Sequence, residues 1–130
     1  MADLYVWPAL ATIAALLVYF SSFILAARMR GKHRVKAPSI DGPEEFKRAL
    51  RIQTNTLEQL ALFLPSLWLF AVYLSPLWAA VLGGVWVAGR ILYIVTYFRD
   101  PARRGPGFVA AMTASGVLLV GALIGVVARI

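Results

Sequence analysis

The residues best suited to chemistry form a polar cluster at the start of a long apolar run. Arg51, Asn55 and Glu58 are spaced i, i+4 and i+7, which places them on one face of an α-helix, and Gln53 lies among them. Arginine binds carboxylates through paired hydrogen bonds, a carboxylate accepts from an ammonium group, and side-chain amides bond to peptide groups. These residue types indicate a site for an anionic or zwitterionic, peptide-like ligand.

A second polar cluster ends the next apolar run. Arg90, Tyr93 and Tyr97 are spaced i, i+3 and i+7 and also share one helix face. A short turn after Leu74 separates the two runs, so residues equidistant from Leu74 lie at equal depth if the two helices are antiparallel. This matching predicts a polar site between the helices, with three facing pairs: Arg51 with Tyr97, Asn55 with Tyr93, and Glu58 with Arg90.

The composition predicts that the elements carrying these residues cross a membrane. The chain has 130 residues, of which 61% are hydrophobic, and a mean hydropathy of +0.76. A soluble domain has only about half of its residues apolar, and a bilayer-spanning helix needs roughly 20 of them. Four runs qualify, so we expect a single domain over residues 1–130, an all-α integral membrane four-helix bundle. The predicted spans are residues 7–27, 50–74, 77–98 and 108–128.

The distribution of cations predicts the orientation of these spans. The net charge is +7, and Lys and Arg concentrate in the first and third connections, the pattern of loops on the cytoplasmic side. A membrane explains this charge better than nucleic acid does, so no nucleic-acid partner is expected. The short chain and the absence of a cleavable signal favour a bacterial inner membrane, with the endoplasmic reticulum as the alternative. The cations concerned are Arg28, Arg30, Lys32, Arg34, Lys36, Lys47, Arg48, Arg99, Arg103 and Arg104.

Residue types that are rare or absent restrict the chemistry further. The chain has no cysteine, which excludes disulfides, thiolate metal sites and cysteine nucleophiles. The single histidine, His33, cannot form a multi-histidine metal site. Glu58 is the one carboxylate inside an apolar run, and such a residue usually has a partner, here Arg90. This pair is predicted either to belong to a ligand site or to join the two helices.

Two regions of the chain carry family-like motifs. The first contains Gly42-x-x-x-Phe46-x-Arg48 followed by Arg51-x-Gln53-x-Asn55-x-x-Glu58, and the second contains Gly89-Arg90-x-x-Tyr93-x-x-x-Tyr97. Together these motifs resemble the family of membrane-associated proteins in eicosanoid and glutathione metabolism (MAPEG), of the microsomal glutathione transferase and leukotriene C synthase type. The resemblance covers nearly the whole chain, including its four apolar runs and a basic turn containing Arg104.

The resemblance implies a homotrimer that binds glutathione, as co-substrate, between neighbouring subunits near the cytoplasmic helix ends. Arg104 would stabilise the glutathione thiolate as the catalytic residue. The thiolate would conjugate to a lipophilic electrophile, or reduce a hydroperoxide, arriving through the bilayer lipids. The residues expected to bind glutathione are Arg30, Arg51, Gln53, Asn55, Glu58, Arg90, Tyr93 and Tyr97.

Departures from the family pattern leave the second substrate open. Gln59 stands where leukotriene C synthases carry tyrosine, Gly31 where they carry arginine, Thr56 where they carry cysteine, and Lys47 where they carry an acidic residue. These differences argue against a leukotriene substrate but not against glutathione. The alternatives to an enzyme are a non-catalytic membrane scaffold or lipid-binding protein, as in the family's lipoxygenase-activating member, and a small transporter.

Overall fold

A computed structural model describes residues 2–130; Met1, the first residue of the predicted domain, lies outside the described residues. The described chain folds into four α-helices: α1 (Ala2–His33), α2 (Glu44–Tyr73), α3 (Pro76–Arg99) and α4 (Gly105–Val127). Each is long and apolar enough to cross a membrane. The prediction of an all-α, four-helix integral membrane bundle is therefore confirmed.

The helices extend beyond most of the predicted spans. The apolar runs mark only the part of a helix that lies in the bilayer core, whereas helical hydrogen bonding continues into the polar flanks. α1 begins five residues before the predicted span and ends six after it. Pro8 therefore lies inside α1, where it is fully buried and its carbonyl accepts from the Thr12 hydroxyl at 2.9 Å.

A tight connection makes α2 and α3 antiparallel, as required by the matching of residues at equal distance from Leu74. α2 ends at Tyr73 and α3 begins at Pro76, which occupies the first turn, where a missing N–H is tolerated. Ser75 caps α3, since its Oγ accepts from the Trp78 backbone N–H at 3.2 Å. The polar clusters of α2 and α3 consequently lie at the same end of the bundle.

Glycines bring the α4 backbone close to its two main neighbours. A Cβ on Gly125 would lie 2.6 Å from the Tyr73 carbonyl oxygen, and one on Gly121 would lie 2.4 Å from the Phe70 ring, so both pack against α2. The small residues at Gly121 and Gly125, spaced i and i+4, thus allow close packing of α4 on α2. Towards the other end, a Cβ on Gly107 would lie 2.4 Å from the backbone nitrogen of Tyr93 in α3.

The interior of the bundle is packed with apolar side chains. Phe63 of α2 and Trp86 of α3 are fully buried, and their rings stack with centroids 4.3 Å apart. The outer surface is also apolar, with large side chains such as Phe20, Leu77 and Leu123 more than half exposed. An apolar exterior is what contact with lipid requires.

Candidate functional site

The first connection packs onto the start of α2 and so fixes the end of the bundle that carries the polar clusters. Phe46 is fully buried, and a Cβ on Gly42 would lie 2.8 Å from its ring, so the chain passes tightly over it. Glu45 accepts from Lys32 at 2.7 Å and contacts the His33 ring nitrogen at 2.9 Å. The end of α1 is thereby joined to the beginning of α2, and the His33 side chain is mostly buried against this carboxylate.

A polar cavity of about 610 Å³ opens at this end of the bundle. Its wall is made by one face of α2, the last turns of α3, the residue that precedes α4, and the first connection. The lining residues are Ile40, Lys47, Leu50, Arg51, Thr54, Asn55, Glu58, Tyr93, Tyr97 and Arg104.

The cavity brings together six of the nine side chains predicted from the sequence. Arg51, Asn55 and Glu58 lie on one α2 face, as their spacing required, and face the two tyrosines of α3. The rings of Tyr93 and Tyr97 stack with centroids 5.3 Å apart and are almost fully buried. The six residues are Arg51, Asn55, Glu58, Tyr93, Tyr97 and Arg104.

Two predicted residues, Arg30 and Gln53, lie outside this cavity in the described chain. The Arg30 guanidinium donates to the Ser39 carbonyl at 2.7 Å and lies 5.1 Å from the centre of the Phe46 ring. It therefore holds the first connection in place. Gln53 is two residues from Asn55, about 200° around α2, and so faces away from the cavity.

Arg90 does not form the predicted ion pair with Glu58. Within residues 2–130 no carboxylate lies within 4.0 Å of its guanidinium. Arg90 is fully buried, and its two Nη atoms donate to Asn55 Oδ1 at 2.8 Å and Thr56 Oγ1 at 2.7 Å. The matching of residues at equal distance from Leu74 compared Cα positions, whereas a long arginine side chain reaches about a helical turn towards the polar end of a membrane helix. Glu58 stays exposed in the cavity wall.

Arg104 lies where the third connection ends and α4 begins. It precedes Gly105, and its carbonyl accepts from the Phe108 N–H at 3.1 Å. Asn55, Tyr93 and Arg104 also line a smaller adjacent cavity of about 290 Å³, together with Gly105 and Phe108. The Arg104 guanidinium and the positive end of the α4 dipole thus act at the boundary between the two cavities, where an anion is favoured.

Several lining residues were not predicted from the sequence. Lys47, Leu50 and Thr54 share the Arg51 face of α2, so helical spacing on both sides of Arg51 is the signal that finds them. Ile40 reaches the cavity from the first connection and is 73% exposed. An isolated aliphatic residue in a polar connection carries no sequence signal for such a position.

The charges around the larger cavity are predominantly positive. Lys47, Arg51 and Arg104 contribute three cations and Glu58 one carboxylate. Arg51 is also 3.2 Å from Glu44, but this pair is more than half exposed and therefore weak. The cavity suits a ligand that has several anionic groups and one cationic group.

Comparison with known proteins is consistent with this site. A sequence model of the MAPEG family matches residues 8–124. The chain is 48% identical to an uncharacterized protein of Synechocystis, over 92% of this chain and 88% of that one. It is 34% identical to microsomal glutathione S-transferase 2 of Mus musculus, over 78% and 69% of the two chains. It is 37% identical to leukotriene C4 synthase of Cavia porcellus, over 85% and 73%.

Proposed function

Because this chain belongs to the MAPEG family, we propose that it is a membrane glutathione transferase. In this proposal it binds glutathione at the polar end of the bundle and stabilises the thiolate. The thiolate is conjugated to a lipophilic electrophile or reduces a lipophilic hydroperoxide. Support at the level of the family comes from the relatives named as glutathione S-transferase and leukotriene C4 synthase.

The observation that carries the proposal is the match between the cavity and the functional groups of glutathione. Glutathione has two carboxylates, one ammonium group, two peptide groups and a thiol. Arg51 and Lys47 suit the carboxylates, Glu58 suits the ammonium group, and Asn55 suits a peptide group. Arg104 remains for the thiolate. Three cations and one carboxylate balance the two negative charges that glutathione carries once its thiol is ionised.

The residues of this chain do two things for the reaction. The cavity orients glutathione, which lowers the entropic cost of reaching the reacting geometry. Arg104, next to the N-terminus of α4, stabilises the negative charge left on sulfur when the thiol proton passes to solvent. The thiolate is the nucleophile: its electron pair forms a carbon–sulfur bond, and the electrophile's leaving group departs with its bonding pair.

With a hydroperoxide the same thiolate attacks the terminal oxygen. The O–O bond breaks, the lipid leaves as an alkoxide that takes a proton to become an alcohol, and glutathione is oxidised to its sulfenic acid. A second glutathione thiolate displaces the hydroxyl group as water, after protonation, and gives glutathione disulfide. The lipid has then been reduced by two electrons, and two glutathione molecules have supplied them.

We also propose that the protein acts as a homotrimer with glutathione between neighbouring subunits. The placement of Arg30 and Gln53 supports this arrangement, because within one subunit they lie away from the cavity that holds the other predicted binding residues. A neighbouring subunit would be needed to bring them to a shared ligand. The proposed location is the bacterial inner membrane, with the first and third connections in the cytoplasm, where glutathione is available.

The decisive experiment compares the parent protein with Arg104→Ala. We expect an ultraviolet difference band of the glutathione thiolate with the parent at neutral pH, and its loss in the variant. Conjugation of a model lipophilic electrophile should fall by at least about a hundredfold, the usual effect of removing a group that stabilises a developing anion.

Arg103→Ala is the matched control, because Arg103 is an adjacent exposed cation that lies near Asp100 instead of the cavity. The Arg103→Ala protein should keep both the glutathione thiolate band and the rate of conjugation. A parent protein that binds no glutathione by calorimetry and gives no thiolate band would falsify the transferase proposal and favour the non-catalytic scaffold or lipid-binding protein.

A further inference from the structure

Arg90 is a buried cation that the proposed chemistry does not use. Its exposed fraction is 0%, so neither glutathione in the cavity nor a neighbouring subunit contacts it. Burying a guanidinium without a carboxylate is costly even when neutral groups accept its hydrogen bonds. Its Nε–H has no acceptor within residues 2–130. A fully buried charge that is solvated only by neutral groups requires an explanation.

The contacts of Arg90 are with residues of the cavity wall. One Nη donates to Asn55 Oδ1 at 2.8 Å, and the guanidinium lies 4.1 Å from the centre of the Tyr93 ring. The other Nη donates to Thr56 Oγ1, which itself donates to the Ile52 carbonyl at 2.7 Å. Arg90 therefore bridges two consecutive side chains of α2 and touches the α3 side of the cavity.

These contacts determine which way the Asn55 amide is oriented. Arginine has only donors, so the atom that faces Arg90 has to be the amide oxygen. The amide group is planar, and its NH₂ is then on the side away from Arg90. Because Asn55 lines both cavities, this NH₂ is the group available to a ligand.

We propose that Arg90 is a positioning residue, which holds the Asn55 amide so that it donates, and does not accept, a hydrogen bond in the cavity. The guanidinium also keeps a positive charge directly behind the wall formed by Asn55 and Tyr93. Both effects favour an electron-rich ligand group, a carbonyl, carboxylate or thiolate, next to Asn55. This inference rests on the proposed function, since the ligand is taken to be glutathione.

A double-mutant cycle separates positioning from simple joining of α2 to α3. Arg90→Lys keeps the charge but not the fork that reaches two acceptors, so the Asn55 amide becomes free to rotate. We expect it to raise the Kd of glutathione about tenfold in the parent, the effect of losing one hydrogen bond to a charged group. In an Asn55→Ala background the same change should raise the Kd less than about twofold, because no amide remains to be positioned.

Asn55→Asp gives a second, independent test. Aspartate still accepts from Arg90, so the contact between α2 and α3 remains, but it cannot donate to the ligand while ionised. We expect its Kd for glutathione to rise at least as much as that of Asn55→Ala, although thermal stability in detergent is maintained.

Trp68→Phe is the control for a loss of stability alone. It removes a hydrogen bond from Trp68 Nε1 to Thr12 Oγ1 that lies about 20 Å along α2 from Asn55. It should lower the melting temperature without changing the Kd.

Equal effects of Arg90→Lys in both backgrounds, or an Asn55→Asp protein that binds glutathione like the parent, would overturn the positioning role and leave the transferase proposal standing. If the parent protein binds no glutathione, the proposed function and this inference are both wrong.

Discussion

At the scale of single residues, the cavity is controlled by cations that lack strong ion-pair partners. Arg104 and Lys47 both line it, and the carboxylate nearest to Lys47 Nζ is Asp41 at 3.8 Å, with a side chain that is 91% exposed. Such an exposed pair contributes little, so most of the Lys47 charge remains available to an anionic ligand. Arg90 differs because it is fully buried behind the part of the cavity wall formed by Asn55 and Tyr93, and so does not contact the ligand directly.

Reversing the charge at Lys47 tests this view. Lys47→Glu changes the charge at this part of the cavity wall by two units. An exposed charge contributes up to about 1 kcal/mol, so we expect the KM for glutathione to rise about tenfold, with little change in kcat. The effect should shrink at high salt because exposed charges are screened. Steady-state kinetics at two salt concentrations measure the rise in KM and its dependence on salt.

Lys36→Glu makes the same change of charge in the first connection at an exposed residue outside the cavity lining. An equal rise in KM for this variant would show that overall charge, and not the position of Lys47, controls the affinity for glutathione.

At the scale of the elements, the site depends on close contact between α3 and α4. α3 carries the two cavity tyrosines, and Arg104 directly precedes α4. The helices meet at Gly107, where an added Cβ would lie 2.4 Å from the Tyr93 nitrogen and 2.7 Å from the Gly89 carbonyl oxygen. These atoms belong to the backbone, so they cannot move aside as a flexible side chain would.

Gly107→Ala should therefore push α3 and α4 apart. We expect a loss of about 1–3 kcal/mol in stability, typical of overpacking, and a weaker affinity for glutathione because Tyr93 and Arg104 separate. Thermal unfolding in detergent and calorimetry with glutathione provide the two measurements.

Gly84→Ala is the matched control, since a Cβ there meets nothing within 4 Å. It should leave the melting temperature unchanged or slightly higher, because alanine favours a helix more than glycine does. A Gly107→Ala protein as stable as this control would contradict the close contact.

At the scale of the whole molecule, one subunit holds its predicted binding residues in two separate places. The cavity contains Arg51, Asn55 and Glu58, whereas Gln53 is on another face of α2 and Arg30 stabilises the first connection. The proposed symmetric trimer would resolve this separation, because the same two surfaces would then meet at each of three equivalent interfaces.

Mixed oligomers test whether the site is shared. Arg104→Ala and Gln53→Ala subunits are each expected to give low activity alone. If every site takes Arg104 from one subunit and Gln53 from its neighbour, each mixed trimer contains one intact site out of three, and purified mixed trimers should recover about a third of the parent activity.

The recovery is measured after co-expression of two differently tagged variants and purification through both tags. Activity no higher than the average of the two single variants would show that each subunit contains a complete site, and the proposed trimeric interface would then be wrong.

Much of the fold followed from the sequence because a bilayer permits few solutions. A chain with four long apolar runs has to satisfy its backbone hydrogen bonds internally, and helices do this within each segment. The short connection at Ser75 then required α2 and α3 to be antiparallel. Helix ends were predicted less well, because hydrophobicity marks the bilayer and not the limit of helical hydrogen bonding.

The cavity face of α2 was also predictable, since helical spacing alone places Arg51, Asn55 and Glu58 together. The hydrogen-bond partners of Arg90 could not be predicted in this way. Matching residues at equal distance from Leu74 compares only the positions of Cα atoms. The hydrogen-bond partners of the Arg90 side chain depend on its length and on which acceptors lie within reach, here Asn55 and Thr56. Ile40 was equally hidden, because its position depends on how the first connection folds over Phe46.

The sequence by itself determined the membrane bundle, the polar end that carries the site, and the residue types that meet there. These follow from composition and helical periodicity, which are local properties of the chain. Only the tertiary structure decided that Glu58 stays in the cavity wall while Arg90 is buried behind Asn55. That outcome depends on packing and hydrogen-bond geometry among α2, α3 and α4, where displacements of a few ångströms determine which polar atoms can meet.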